Sequence, residues 1–164
     1  DQKLDLCRQS FVTFKKNNDR WGEALSQLIW ADEMNFSDFD TTLAQVAYQA
    51  SLETFNTAGN HWGQALCLNG LMVLEQKAGN YPEAQSLGNQ SIELFNELKN
   101  FERVSWIHHS MGEFAIAHNH PEDACPHYEA NLTYFAHVGD NERRIFYETR
   151  LAQVVEQLSR NGIY

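Results

Sequence analysis

The sequence lacks any long hydrophobic run, and no apolar stretch approaches the roughly 18 residues that a membrane-spanning helix needs. Nothing resembles a signal peptide either, so we expect a soluble, cytoplasmic chain. Basic residues are scarce, with 12 Lys and Arg against 22 Asp and Glu, which gives a formal net charge of -10. Because a nucleic-acid surface needs clustered Lys and Arg, this balance argues against binding of nucleic acid through this segment.

Cysteine is also scarce, and the three residues are Cys7, Cys67 and Cys125. Their odd number, wide spacing and apolar surroundings predict buried thiols in a reducing compartment, not a disulfide framework. The motifs of common catalytic sites are missing: there is no Gly-rich phosphate loop, no Gly-x-Ser-x-Gly elbow and no His-Glu-x-x-His helix. The carboxylate pairs Asp32-Glu33 and Glu122-Asp123 fall at helix positions that we expect to be solvated, which is unfavourable for acid-base catalysis. The sequence therefore predicts neither an enzyme nor a cofactor.

What the sequence does contain is one phrase repeated four times, at intervals of 41, 40 and 40 residues. The copies are Ser10-Phe11-Val12-Thr13-Phe14, Ser51-Leu52-Glu53-Thr54-Phe55, Ser91-Ile92-Glu93-Leu94-Phe95 and Asn131-Leu132-Thr133-Tyr134-Phe135. A period near 40 residues is typical of a solenoid, whose stacked units bury their apolar faces only against one another.

Apolar residues in and after each phrase recur every three or four positions, which is helical spacing and not strand alternation. A polar break and a second apolar-periodic stretch follow each copy, so each repeat holds two helices. We predict an all-α solenoid of antiparallel helix pairs with the phrase in the second helix, where it packs the stack. The eight predicted helices are residues 3–16, 20–35, 41–57, 61–78, 82–98, 101–118, 121–137 and 141–160.

Glycine and proline mark the predicted helix ends. Gly59, Gly79 and Gly139 lie where we expect left-handed C-terminal caps. Pro82 and Pro121 each precede a glutamate, which is the arrangement expected where proline opens a helix and an acid meets its positive end.

The third unit resembles the tetratricopeptide repeat (TPR) family in its long, 40-residue form. The resemblance is carried by Ser110-Met111-Gly112-Glu113-Phe114-Ala115-Ile116-Ala117, Pro121-Glu122-Asp123-Ala124, Asn131-Leu132, Phe135 and Gly139-Asp140. The second unit matches through Leu71, Ala84, Ser91-Ile92 and Phe95, and the first through Ala44, Ser51-Leu52 and Phe55. Met72 replaces the first-helix glycine in the second unit. The resemblance implies one array with a right-handed superhelix over residues 1–164, with units at about 20–59, 60–100 and 101–140 and half-units at 1–19 and 141–164.

In this family the first helices line a concave groove that holds peptides or partner helices. The register implies groove residues Trp106, His109, Glu113 and Ile116 in the third unit, and Leu66, Asn69, Val73 and Gln76 in the second. It adds Phe146, Thr149, Gln153 and Glu156 in the last helix, and Leu25, Leu28, Asp32 and Asn35 in the first unit. Core packing between units is an alternative role for Trp106, and we expect packing roles for Trp21 and Trp62.

Histidines are the best candidates for a metal site, and the cluster is His108, His109, His118, His120 and His127. His109 and Glu113 share one predicted helix face, and His118 with His120 would present two imidazoles near a helix end. His118 and His120 fall in a turn where the TPR family accepts any polar residue, so we expect no metal.

The resulting expectation is a non-enzymatic interaction and sensor module of a bacterial signalling or transcriptional regulator, with a protein, peptide or small-molecule partner. The alternatives are a free-standing cytoplasmic scaffold and an enzyme that uses the histidines. The repeat begins with a second helix and stops after a first helix, which suggests a piece excised from a longer array. That leaves uncovered apolar faces, from which we expect end-to-end homodimers: Leu4, Phe11 and Phe14 at one end, and Leu151, Val154, Val155 and Leu158 at the other.

Overall fold

The computed structural model describes residues 2–36 and 41–160, and these residues form eight α-helices and no strand. The helices are α1 (Gln2–Lys16), α2 (Arg20–Phe36), α3 (Thr41–Ala58), α4 (His61–Ala78), α5 (Tyr81–Glu97), α6 (Phe101–Ala117), α7 (Pro121–Val138) and α8 (Asn141–Arg160). Every predicted helix is present, with each end within one residue of the prediction. The all-α fold of packed helix pairs is confirmed.

The helices fall into two compact units, Asp1–Leu98 with α1 to α5 and Lys99–Tyr164 with α6 to α8. In the first unit each helix packs against the next one along the chain. In the second unit α7 packs against both α6 and α8. Helices α2, α4, α6 and α8 are the first helices of the repeats, and α1, α3, α5 and α7 are the second helices.

A left-handed residue ends each second helix. It is Asn18 (φ 54°), Gly59 (φ 63°), Lys99 (φ 56°) or Gly139 (φ 76°). The predicted left-handed glycines are confirmed here and at Gly79 (φ 73°). Asn18 and Lys99 occupy the same place without being glycine, so a search for glycine alone misses them.

The residue that follows each left-handed position caps the next first helix through its side chain. The carboxylate of Asp19 accepts a hydrogen bond from the Gly22 amide at 2.9 Å. Asn60, Asn100 and Asp140 accept equivalent bonds at 3.0, 3.2 and 3.0 Å. These caps satisfy an amide that the helix itself leaves unpaired, and they fix the sharp turn between the repeats.

The repeated phrase forms the buried seam between helices. The Ser51 hydroxyl on α3 donates to the carbonyl of Ala24 on α2 at 3.0 Å. One repeat later the Ser91 hydroxyl on α5 donates to the carbonyl of Ala65 at 2.9 Å. Asn131 takes this place on α7 and is fully buried. The expected packing role of the phrase is therefore confirmed in α3, α5 and α7.

In α1 and α3 the last aromatic of the phrase lies against a glycine of the following first helix. A Cβ atom added to Gly63 would lie 2.4 Å from the Phe55 ring, and one added to Gly22 would lie 2.2 Å from Phe14. Such distances are below van der Waals contact, so only glycine permits this approach of the two helices. None of the described helices combines the length and the apolarity needed to cross a bilayer.

We expect Gly63→Ala to destabilise the protein by about 1–3 kcal/mol, because the buried Phe55 ring has no room to move away from the new methyl group. Urea unfolding followed by circular dichroism measures this loss. In a Phe55→Leu background the same substitution should cost less, since the smaller side chain relieves the clash. An increase in stability on Gly63→Ala, as helix propensity alone predicts, would contradict the close approach.

Candidate functional site

The second unit brings six predicted groove residues to one surface, which we call the α6–α8 face. It comprises Trp106, His109 and Glu113 on α6 and Phe146, Thr149 and Gln153 on α8. α7 packs against both helices and helps to bury Ile107 and Met111 of α6 and Tyr147 and Val154 of α8. The helical period then turns the six predicted residues away from this core.

An ion pair joins the two helices across this face. Arg150 on α8 donates through Nε to Glu113 Oε1 at 3.0 Å, and its Nη2 lies on the other carboxylate oxygen. The Tyr128 hydroxyl on α7 donates to the same Glu113 Oε1 at 2.7 Å. Burial opposes ionisation of Glu113, but the bonds from Arg150 and Tyr128 and the charge of Arg150 outweigh it, so the pKa of this carboxyl lies below its usual value. Three helices are thus connected through one carboxylate.

His109 lies between α6 and α8. Its ring centroid is 6.1 Å from that of Phe146 and 5.9 Å from that of Tyr147. Its Nδ1 atom is buried and has no hydrogen-bond partner among the described residues. A buried imidazole nitrogen without a hydrogen-bond partner is uncommon in folded proteins, and here it lies beside two aromatic rings of α8.

The other predicted residues of the α6–α8 face differ in exposure and in hydrogen bonding. Trp106 is 51% exposed and Phe146 is 46% exposed, so both present aromatic surface to solvent. The Gln153 side chain accepts a bond from Arg150 at 3.3 Å. The Thr149 hydroxyl instead donates to the carbonyl of Ile145 within its own helix at 2.9 Å.

The predicted groove residues Asn69, Val73 and Gln76 lie on α4 in the first unit. All three are half-buried, and Asn69 Oδ1 has no hydrogen-bond partner among the described residues. Leu28 and Asn35 of α2 are buried, which places them in the core and not on a binding surface. One groove that runs through both units stays a prediction.

Sequence reasoning missed a tyrosine–carboxylate contact that occurs in both units. The Tyr48 hydroxyl on α3 donates to Asp32 of α2 at 2.6 Å, in the same way that Tyr128 donates to Glu113. Burial and the neighbouring carboxylate raise the pKa of Tyr48. The sequence does contain a signal for this contact. The two tyrosines are 80 residues apart and the two acids 81, which is close to two repeat lengths.

Two of the candidate histidines form a pair within the second unit. The Nδ1 atoms of His108 on α6 and His127 on α7 lie 2.9 Å apart, so one ring donates and the other accepts. Burial lowers the pKa of both imidazoles, and the neighbouring His127 contributes to bringing the pKa of His108 to about 4. The pair is therefore neutral at physiological pH, and it connects α6 to α7.

The remaining candidate histidines lie apart from this pair. The ring of His118 packs on Phe114, and its Nδ1 bonds to the Phe114 carbonyl at 3.0 Å. His120 Nδ1 lies 3.9 Å from the Glu122 carboxylate. Over the described residues, no three His, Cys, Asp or Glu side chains are placed to hold one metal ion. The three cysteines are free thiols, and only Cys67 is fully buried.

A mainly apolar cavity of about 560 Å³ opens between α1, α2 and α3 in the first unit. Phe11, Trp30, Leu43 and Val46 form much of its lining, with Arg8 among the polar lining residues. No repeat signal predicts this cavity, because it depends on how far α1 stands from α3.

Comparison with models of protein families finds no match for this chain. A search of curated proteins finds no relative. The resemblance to the TPR family therefore rests on the repeat pattern of the chain itself.

The histidine pair predicts a pH dependence of stability. As the pH falls from about 6.5 towards 4, the unfolded chain takes up protons that buried His108 and His127 resist, so the folded state loses stability. The slope is up to about 1.4 kcal/mol per pH unit for each proton. Urea unfolding at a series of pH values measures it, and Asp123 is the charged neighbour that partly opposes the effect at His127.

The double variant His108→Gln/His127→Gln should lose this part of the slope. The variant His137→Gln, at an exposed position of the same helix α7, should keep it. Equal slopes in wild type and double variant would show that the pair does not titrate as its burial implies.

Proposed function

We propose that this chain is a non-enzymatic interaction module of the TPR kind that binds a protein or peptide through its α6–α8 face. The observation that supports this most is the half-exposed Phe146 ring beside His109, whose buried Nδ1 has no described partner, with the half-exposed Trp106 one turn earlier on α6. Exposed aromatics of this kind commonly anchor partner side chains.

The anchor of the proposed site is formed by Trp106, His109 and Phe146, which we call the aromatic ledge. The ring centroids of His109 and Phe146 lie 6.1 Å apart, and Trp106 precedes His109 by one turn of α6, so the two α6 residues lie on one side of that helix. An apolar side chain of a partner that packs on this ledge would bury apolar surface from water. This burial is the largest favourable contribution to the binding free energy at such a site.

Polar selectivity would come from the groups beside the ledge. His109 Nδ1 is buried and lacks a partner among the described residues, so the imidazole would have to turn towards solvent to bond a peptide group or polar side chain of the partner. The Glu113–Arg150 pair holds α6 against α8, so the ledge needs little reorganisation on binding. The side-chain amide of Gln153 adds a further hydrogen-bonding group next to Arg150.

The repeat pattern supports placing this module in a bacterial cytoplasmic regulator of signalling or transcription, where partner binding to the array is the received signal. A free-standing scaffold would use the same face. A phosphate-binding loop and a helix-turn-helix encoded in the same polypeptide would distinguish the regulator from the scaffold.

Selection from a random peptide display library on the immobilised wild-type protein tests the proposal. We expect enrichment of peptides with a large apolar side chain, and we expect Trp106→Ala to weaken their binding by about 30-fold, which is the loss of a typical aromatic hot spot. Isothermal titration with the synthesised peptides measures the affinities.

Trp21→Ala is the matched control, because Trp21 is equally exposed but lies on α2 in the first unit. It should leave the affinities unchanged. Peptides that bind wild type and Trp106→Ala equally well, or a selection that enriches nothing, would contradict the proposed site.

A further inference from the structure

Helix α8 exposes a face that the other first helices bury. The residue five positions after the cap is buried in α2, α4 and α6 as Ala24, Ala65 and Ser105, because the following second helix covers it. In α8 this residue is Ile145, and it is 54% exposed.

The same contrast recurs one and two turns further on. Twelve positions after the cap, Ala31, Met72 and Gly112 are buried, whereas Ala152 is exposed. Fifteen positions after the cap, Ala115 of α6 is fully buried, whereas Val155 of α8 is exposed. Ile145, Ala152 and Val155 form a stripe that we call the α8 face.

Helix α1 shows the complementary contrast among the second helices. Its phrase residue Ser10 is exposed, whereas Ser51, Ser91 and Asn131 are fully buried against their first helices. Four positions earlier, Leu6 is 56% exposed, whereas Ala47, Leu87 and His127 are buried.

Seven positions before the phrase residue, Lys3 is exposed where Ala44, Ala84 and Ala124 are fully buried. Lys3, Leu6 and Ser10 form the α1 face.

The expectation of uncovered apolar residues at both ends is only partly correct. Val155 is exposed, but Val154 and Leu158 are buried, and Phe11, Phe14 and Leu151 are half-buried. The side chain of Leu4 lies outside the described residues.

Residues equivalent to those of the α1 face and the α8 face pack together within the chain between α2 and α3, α4 and α5, and α6 and α7. We infer that α1 of one molecule docks on α8 of a second copy of this chain. Each docking event rebuilds a complete repeat, so the contact continues an interface already present in the fold. The inference does not depend on the α6–α8 face or its partner.

The repeated seam specifies the contacts of this interface. The Ser10 hydroxyl would donate to the carbonyl of Ile145, as Ser51 does to Ala24 and Ser91 does to Ala65. In the single molecule the Thr149 hydroxyl occupies that carbonyl at 2.9 Å and would turn away to make room for Ser10. Leu6 would cover apolar surface of α8 that is open to solvent in the single molecule.

The charged residues closest to this interface already have partners within one molecule. Lys3 Nζ lies 3.2 Å from the Glu33 carboxylate, and Glu156 pairs with Arg160. The docking therefore relies on the contacts of the seam and on Leu6, and not on charge.

The two faces differ, so the contact is heterologous and each bound copy leaves one face of each kind open. The expected behaviour is head-to-tail growth with concentration, not a closed dimer. Sedimentation velocity from about 10 μM to about 1 mM protein should reveal a rising weight-average mass, as a contact with a Kd in this range requires.

Two single variants separate the faces. Leu6→Asp blocks the α1 face, and Ala152→Arg blocks the α8 face; both positions are exposed, so folding should be retained, which circular dichroism checks. Each variant alone should stay monomeric over the whole range. An equimolar mixture should form a 1:1 dimer that does not grow, because each partner supplies the face that the other lacks. If Ala152→Arg unfolds the chain, Ile145→Asp replaces it.

Ile29→Asp is the matched control, since Ile29 is a similarly exposed aliphatic residue outside both faces. It should associate like the wild type. The inference is overturned if the wild type remains monomeric at about 1 mM, or if Leu6→Asp and Ala152→Arg associate as strongly as Ile29→Asp.

Discussion

The seam between the first and second helix of a repeat is the interaction on which the rest of the structure depends. Its centre is a buried hydroxyl, that of Ser51 or Ser91, which donates to a backbone carbonyl of the neighbouring helix. The accepting residues, Ala24 and Ala65, are both fully buried. In the first unit the phrase aromatics Phe14 and Phe55 then reach Gly22 and Gly63 of the next first helix, which joins α1 to α2 and α3 to α4.

This seam also decides which surfaces are left for function. Because α7 covers one side of both α6 and α8, the opposite side carries the aromatic ledge of Trp106, His109 and Phe146. The Glu113–Arg150 pair fixes the separation of the two helices beneath it. On α8, which no described second helix covers on this side, apolar residues such as Ile145 are exposed instead. The α6–α8 face, proposed for partner binding, and the α1 and α8 faces, proposed for self-association, are thus the surfaces that the second helices leave uncovered.

The fold was predictable from the sequence because the same pattern of apolar spacing and helix-ending residues occurs four times. Glycines such as Gly59 and Gly139 marked the helix ends, and the phrase marked the buried side of the second helices. The site was only partly predictable. The repeat register predicted Trp106 and Phe146 as residues of the binding surface. Arg150 was missed because its partner Glu113 lies 37 residues away on another helix, and no local sequence pattern indicates their contact. The His108–His127 pair was missed for the same reason, since it depends on the packing of α6 on α7.

The most direct test of this account is the free energy of unfolding of Ser51→Ala, Ser91→Ala and their double variant in urea. Each substitution should cost about 1 kcal/mol through the loss of a buried hydroxyl bond, with Ser159→Ala at an exposed site of α8 as the neutral reference. The two losses should add, because the bonds lie in separate helix pairs. Stabilities equal to that of Ser159→Ala would contradict the claim that this seam holds the two helices of a repeat together.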